Sequence, residues 1–242
     1  MATYSELNGK VAIMSGAGGN AGLSVIQRLY SQGVRLALID RNEAGLRARL
    51  RENNIDDSGI LVGAVDLLKK DEIEAFVGNV IAQFGQIDIL INQAGGYRPQ
   101  PPIHEMDEAT WDFLVDLNAK TMFLLSSTVA KQMVAKGTAG RIVSVAARGG
   151  LKGDPGNAAY AVSKSAVIRM TESMAAELMD HGIRVNVVLP STLDTPPNRA
   201  ANPDGDYAKW VSPESLADVL TFLLSDSARD ISGAAIPVYG RA

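Results

Sequence analysis

The sequence predicts an α/β fold, a single doubly wound domain whose seven-stranded parallel sheet carries helices on both faces. Three observations predict it. Short apolar runs alternate with longer helical patterns almost to the end of the 242-residue chain, the repetition expected of a strand-helix-strand architecture. The runs are apolar throughout rather than at every second position, as strands buried on both faces of a sheet must be. No linker, low-complexity tract or repeat interrupts them, so residues 1–242 read as one domain.

The elements follow in order. Val11-Ala-Ile-Met-Ser15 is a short buried strand, followed by glycines and a helix over about 21–31. Residues 35–40 form a second strand and 43–53 a charged helix. Residues 60–65 form a third strand and 69–84 a third helix. A fourth strand spans 87–91, and 107–136 is mostly helical. Strands at 141–146 and 184–189 flank a long helix that starts near Tyr160. Ser212-Pro213 opens the last helix, a hydroxyl at the N-cap with proline at the first helical position. Residues 235–238 close the chain as a strand. The longest loops follow strands four, five and six, at 92–106, 147–155 and 190–211. Ligands of such sheets bind beyond the carboxyl ends of the strands, where these loops gather.

Composition narrows the function classes. The 23 basic and 27 acidic residues give a formal net charge of −4, and no Lys/Arg run suggests a nucleic-acid surface. With no cysteine in the chain, disulfides, thiolate catalysis and Cys-metal sites are excluded. His104 and His181, the two histidines, lie far apart in sequence, so no metal site is expected. Residues 1–8 lack the apolar core of a signal peptide, and no apolar run approaches the ~20 residues of a membrane span. The expectation is a cytoplasmic protein without membrane or nucleic-acid partners.

Ser15-Gly-Ala-Gly-Gly-Asn-Ala-Gly22 lies between the first strand and the first helix. Glycines there let the backbone turn tightly and approach a pyrophosphate, whose charge the helix N-terminus favours. Strand before, helix after and an acid downstream together predict a Rossmann-type dinucleotide site. Asp40 ends the second strand, eighteen residues beyond Gly22. Its carboxylate suits an adenosine ribose and would repel a 2′-phosphate, so NAD(H) is preferred. Arg41 next to it leaves NADP(H) open, because a guanidinium can meet a phosphate. Asp66 after the third strand either meets the adenine or starts the next helix, and the nucleotide-site context favours the adenine.

Tyr160 and Lys164 are four residues apart at the start of a helical pattern, hence on one face and one turn apart. A nearby cation favours a phenolate, so Lys164 is expected to lower the pKa of Tyr160 from about 10. A tyrosine so tuned can exchange a proton in concert with a redox step.

With these residues in hand, the chain resembles the short-chain dehydrogenase/reductase family from about Leu7 to Tyr239. The glycine loop, Asn92-Gln-Ala-Gly95, Asn118, Tyr160/Lys164 and Pro190 to Thr195 stand in the family's order and spacing. The resemblance implies that Tyr160 is the general acid/base, that Lys164 lowers its pKa and holds the nicotinamide ribose, and that Asn118 anchors a relay water. It implies a cofactor site built from Gly16, Gly19, Asn20, Ala21 and Gly22 of the loop and from Asp40, Arg41, Asp66 and Leu67 after strands two and three. Asn92, Ala94 and Gly95 join it after strand four, and Pro190, Thr192 and Thr195 after strand six, Thr195 at the carboxamide. It implies a homo-oligomer too, a homotetramer or dimer joined through helix faces.

Departures from the family pattern carry information. Asn20 stands where a glycine is usual, and Asn tolerates a left-handed backbone better than most residues. Gln93 replaces a usual Asn and Ser191 a usual Gly. Ala147, thirteen residues before Tyr160, occupies the place of the family's carbonyl-binding serine. Losing one oxyanion-type donor costs about 10²–10³ in rate. Ser144, three residues along the strand, points to the opposite face. Ser191, Thr192 and Arg148 stand as loop candidates for the missing donor, or else the substrate is electrophilic enough to need less polarisation.

A second similarity favours the last option. Leu193-Asp-Thr-Pro196, Asn198-Arg199, Pro203-Asp-Gly-Asp206 and Trp210 resemble the substrate loop of dihydropteridine reductases, and Gly95-Gly96-Tyr97 resembles their glycine-aromatic turn. Those relatives reduce a quinonoid C=N system with NADH and carry alanine where others have serine. A small-molecule substrate is expected against Ala147, Tyr97, Arg148 and Trp210, and both a quinonoid pterin and an ordinary ketone or alcohol remain open. Trp111, Phe113 and Phe123 sit at helical spacings and read as core or interface. A weakly catalytic dinucleotide-binding sensor or scaffold is the alternative from another class, motivated by Ala147 and opposed by the presence of Tyr160, Lys164 and Asn118 together.

Overall fold

The structure is a computed structural model that describes residues 2–241. Seven strands form one sheet, each parallel to its neighbours. They are β1 (Val11–Ser15), β2 (Arg35–Ile39), β3 (Leu61–Gly63), β4 (Ile89–Asn92), β5 (Arg141–Val145), β6 (Arg184–Pro190) and β7 (Ala235–Val238). Their order is β3-β2-β1-β4-β5-β6-β7. The chain winds outward from β1 to β3, then returns to place β4 on the other side of β1. A crevice opens at such a reversal, beyond the carboxyl ends of β1 and β4.

The continuous apolar strands resolve into two interleaved half-patterns. Ala12 and Met14 of β1, with Leu36 and Leu38 of β2, face one core. That core is completed by α1 (Gly22–Tyr30), α2 (Glu43–Glu52) and α8 (Pro213–Leu224). Val11, Ile13, Ala37 and Ile39 face the other, against α3 (Lys70–Phe84), α5 (Thr121–Lys136) and α6 (Ala158–Leu178). Side chains alternate across a strand, and helices cover both faces. Neither face can therefore be polar. Leu216, Leu220, Leu223 and Leu224 give α8 a fully buried stripe, each side chain worth ~1.5–3 kcal/mol of burial. Ser212 caps that helix by accepting the Ser215 N–H at 3.0 Å.

Three boundaries differ from the sequence reading. The helical stretch 107–136 is divided into α4 (Glu108–Val115), a π turn over Asp116–Lys120 and α5. The loop after β6 contains a short helix, α7 (Pro196–Ala201), started by its two prolines. The fourth strand begins later than expected because Asp88 ends up as a buried clamp, accepting from the Val11 N–H at 2.9 Å and from Lys10 Nζ at 3.1 Å.

Candidate active site

A cleft of about 810 Å³ lies over the carboxyl ends of β1, β2, β4, β5 and β6. One end is built by the glycine loop. Gly16 has φ +68°, and a Cβ there would sit 2.7 Å from Ala94 N. Two strand ends can meet at this point only through glycine. At Gly22 a Cβ would stand 2.1 Å from Ala17 O, so that glycine lets α1 pack on the loop and does not itself line the cleft. Gly16, Gly19, Asn20 and Ala21 do line it.

Asp40 ends β2 with both carboxylate oxygens aimed. Oδ2 accepts from the Gly18 N–H at 2.8 Å and Oδ1 from the Asn42 N–H at 2.9 Å. Arg49 Nη1 donates to Gly18 O at 2.6 Å and braces the loop from outside. Arg41 and Leu67 line the same end. Asp66 does not; its Oδ1 accepts from the Leu68 N–H at 3.1 Å and lies 4.0 Å from Arg41 Nη2. Asp66 Oδ1 thus caps the turn that precedes the next helix, the second of the two places its sequence position suggests.

Farther along, Ala94 and Gly95 line the cleft, whereas Asn92 turns away into the core. Its Nδ2 donates to Ser126 Oγ at 2.8 Å and Ser144 Oγ at 3.1 Å, tying β4 to α5 and β5. Gln93 lines the cleft with a buried Oε1 that has no hydrogen-bond partner among the described residues. A buried acceptor left unpaired is costly. Together with the glycine cradle, this orphan fits a bound group that brings hydrogen-bond donors, as a dinucleotide does.

Tyr160 and Lys164 meet at the middle of the cleft, from the first turns of α6. Gln100, absent from the sequence reading, caps that helix, its Oε1 accepting from Ala159 N–H (2.8 Å) and Tyr160 N–H (3.3 Å). No sequence signal marks it, since it acts across fifty-nine residues. Lys164 is 5% exposed, and its Nζ donates to Val145 O at 3.0 Å, 6.0 Å from the Tyr160 ring centroid. Burial lowers its pKa to about 8. Tyr160 moves the other way, pushed up to about 12, first by burial and then by the nearby Tyr97 phenol. The expected lowering by Lys164 is thus reversed in the protein alone, because desolvation of the phenolate outweighs an ammonium turned towards Val145.

Asn118 lies in the π turn, 1% exposed, and does not line the cleft. Its Oδ1 accepts from Gly96 N–H at 2.9 Å, and its Nδ2 donates to Gly96 O (3.0 Å) and Leu114 O (3.0 Å). The side chain holds the Gly95-Gly96 turn in place, which leaves only its main chain for a relay water. Gly95 could not be another residue, as a Cβ would stand 2.8 Å from Asn118 Oδ1 and 3.0 Å from Lys164 Nζ.

Ala147, Arg148, Gly149, Asp154, Asn157 and Tyr97 line the far end. Tyr97 meets Tyr160 edge-on, ring centroids 5.3 Å apart at 88°. From the loop after β6 come Pro190, Ser191, Thr192, Leu193 and Thr195, with Asn198 and Asn202 of the α7 region. Asn198 belongs to the substrate-loop resemblance read from sequence; Asn202 was not singled out there. Trp210 lies outside the cleft, packed on Tyr207 with centroids 4.8 Å apart. It is a loop-packing residue here, since Gly205 and Tyr207 fill the space around its ring. Asp194 and Arg199 pair twice, at 2.5 and 2.8 Å, and brace α7. Among the described residues no group of three metal-ligating side chains occurs, and no helix is long and apolar enough to cross a membrane.

Comparison with known proteins agrees with this geometry. L-xylulose reductase of Bos taurus is 32% identical over 245 residues, covering 97% of this chain and 97% of that protein. NAD+-bound xylitol dehydrogenase superposes with a TM-score of 0.87 at 28% identity, over 97% of this chain and 99% of that one. A 3-ketoacyl-(acyl-carrier-protein) reductase from Brucella melitensis, complexed with NADH, gives a TM-score of 0.83 at 30% identity, with coverage of 97% and 99%. The sequence pattern named short chain dehydrogenase matches residues 10–206, from the start of β1 through the glycine loop and Tyr160 into the loop after β6. On that match and on the seven-stranded sheet, the chain belongs to the short chain dehydrogenase family, as an oxidoreductase that works with a nicotinamide cofactor.

Proposed function

We propose that the protein is an NAD(H)-preferring reductase of a small C=O or activated C=N compound, with Tyr160 as the proton donor. One observation carries the reading. Tyr160 and the buried Lys164 share one cleft with a glycine cradle suited to a dinucleotide and with a substrate-sized space bordered by Ala147, Tyr97 and Asn157. The nicotinamide, when bound, supplies or accepts a hydride.

The chain's own residues do the rest. Gly16, Gly19, Asn20 and Ala21 would approach the pyrophosphate, and Asp40, its carboxylate held at the end of the cleft by the Gly18 and Asn42 N–H groups, would take the adenosine ribose. Asp40 is held where a 2′-phosphate would meet like charge, which supports NAD(H). Arg41, 77% exposed, is a weak counterweight. Pro190, Thr192 and Thr195 border the nicotinamide end, and Lys164 reaches the ribose beside it. A phenol at about 12 holds its proton throughout the neutral range, which suits donation to a substrate oxygen or nitrogen. The small-molecule substrate lies against Ala147 and Tyr97.

A quinonoid dihydropterin is the second reading, supported by the Ala147 methyl and by an aromatic ring bordering the chamber. Homo-oligomerisation is supported by Phe113, Phe123 and Val162, exposed on helices α4, α5 and α6. The experiment is NADH oxidation with a panel of ketones and quinonoid dihydropterin, using wild type and Tyr160→Phe. Wild type turns over at least one member, and Tyr160→Phe loses about 10²–10⁴-fold in kcat while still binding NADH. Undiminished turnover by Tyr160→Phe refutes the proton-donor role. No turnover of any member favours a sensor or scaffold.

A further inference from the structure

The chamber beside Ala147 lacks an obvious hydrogen-bond donor for the substrate oxygen, and the hydroxyls nearest in sequence are committed elsewhere. Ser144 receives Asn92 Nδ2 inside the core and does not line the cleft. Ser191 Oγ donates to Tyr239 O at 2.8 Å. Arg148 lies over the Tyr239 ring at 5.5 Å. Thr192 and Tyr97 both line the cleft, and of the two the Tyr97 ring is the one set directly against Tyr160. Among the described residues the phenols of Tyr97 and Tyr160 make no hydrogen bond, and both residues border the same space.

We infer that the Tyr97 hydroxyl is the second donor to the substrate oxygen, supplying the polarisation that the methyl of Ala147 cannot; this rests on the reading of Tyr160 as proton donor. Tyr97 is held for such a role. Gly96, immediately before it, is gripped at both its N–H and its C=O by the buried Asn118 side chain. The Tyr97 ring is set edge-on against Tyr160 at 88°. A donor fixed before the substrate arrives needs no reorganisation in the transition state, which is where an oxyanion-type contact gains its effect. The two ring centroids are 5.3 Å apart, and the nearby Tyr97 phenol helps hold the Tyr160 pKa up.

The step balances simply. A hydride from the reduced nicotinamide forms the new C–H bond, and the C=O π pair moves onto oxygen. That oxygen takes the proton of Tyr160, leaving a phenolate to be reprotonated from solvent. Tyr97 keeps its proton throughout and only shares it with the developing negative charge. Asn118 is a positioning residue for Tyr97 in this scheme.

The test uses Tyr97→Phe, which deletes one exposed hydroxyl and keeps the ring contact, with the best ketone of the panel and NADH. A loss of about 10²-fold in kcat/KM is expected, with NADH affinity and Tm unchanged. Ala147→Ser fits, because the backbone there is extended at φ −166° and ψ 159°. Added to Tyr97→Phe it returns at least about tenfold of the loss, because its hydroxyl replaces the missing donor. In the cofactor-free protein, Tyr97→Phe also lowers the Tyr160 titration midpoint, read as the phenolate absorbance removed by Tyr160→Phe. Wild-type kcat/KM in Tyr97→Phe, beside an inactive Tyr160→Phe, overturns the donor role of Tyr97 alone. A loss that Ala147→Ser does not repair, with an unmoved midpoint, makes Tyr97 a packing residue and also overturns it. An active Tyr160→Phe removes the proton-donor reading and the inference with it.

Discussion

At the scale of single residues, burial shifts two neighbouring titratable groups in the cleft, Tyr160 and Lys164, in opposite directions. The Lys164 ammonium is charged inside the protein up to about pH 8 and in the unfolded chain up to about 10.5. Below pH 8 both states hold the proton; between 8 and 10.5 only the unfolded chain does. Stability contributed at this site therefore rises with pH through that window. Burying the charge at neutral pH costs on the order of 3 kcal/mol. We expect the Tm advantage of Lys164→Met over wild type, without cofactor, to be larger at about pH 7 than at about pH 9.5. The bond to Val145 O is already contained in the shifted pKa, so an unchanged difference would contradict the burial of a charged Lys164. The pairing of Tyr160 with Lys164 was readable from spacing alone. The direction of the Tyr160 shift was not, because spacing says nothing of how much water surrounds a phenol.

At the scale of elements, α6 is long enough to form on its twenty-one residues, but its active end depends on a contact from another loop. Gln100 satisfies the N–H groups of Ala159 and Tyr160, two of the four donors that a helix start leaves unpaired. Gln100→Ala is expected to lower stability by ~1 kcal/mol. It should also reduce kcat several-fold with little change in NADH affinity, since the first turn of α6 carries Tyr160. Steady-state kinetics and thermal melts together check this; a melt shift with intact kcat would confine Gln100 to a structural role. The π turn at Asp116–Lys120 is the other element that periodicity hid. Residues 107–136 keep helical spacing on either side of it, and the inserted residue betrays itself only through the buried bonds of Asn118 to Gly96 and Leu114.

For the whole molecule, the order of the sheet places the cleft. Because β4 returns beside β1, the glycine loop, the Gly95-Gly96 turn and the Tyr160 helix converge over one crevice. A ligand that binds only the folded chain must then raise its melting temperature. At about 100 times its Kd, NADH should add about 2.7 kcal/mol, or roughly 5–10 °C for a chain of this size. NADPH at the same concentration should add less, because Asp40 borders the site of its extra phosphate. A larger shift with NADPH would show that Arg41 prevails.

The sequence by itself determined the strand and helix succession, the glycine loop and the Tyr160/Lys164 pair. Each is encoded by local pattern: apolar runs, caps, glycines where a chain must turn, and two side chains one helical turn apart. Tertiary structure alone decided which candidates share the cleft. It drew Asn92 and Asn118 into the core, set Trp210 against Tyr207, and brought Gln100 and Asn202 to places no spacing foretold. The reason is physical. A pattern fixes the face on which a side chain leaves its own element, whereas its partners, its exposure to water and its pKa depend on segments that fold against it from elsewhere in the chain.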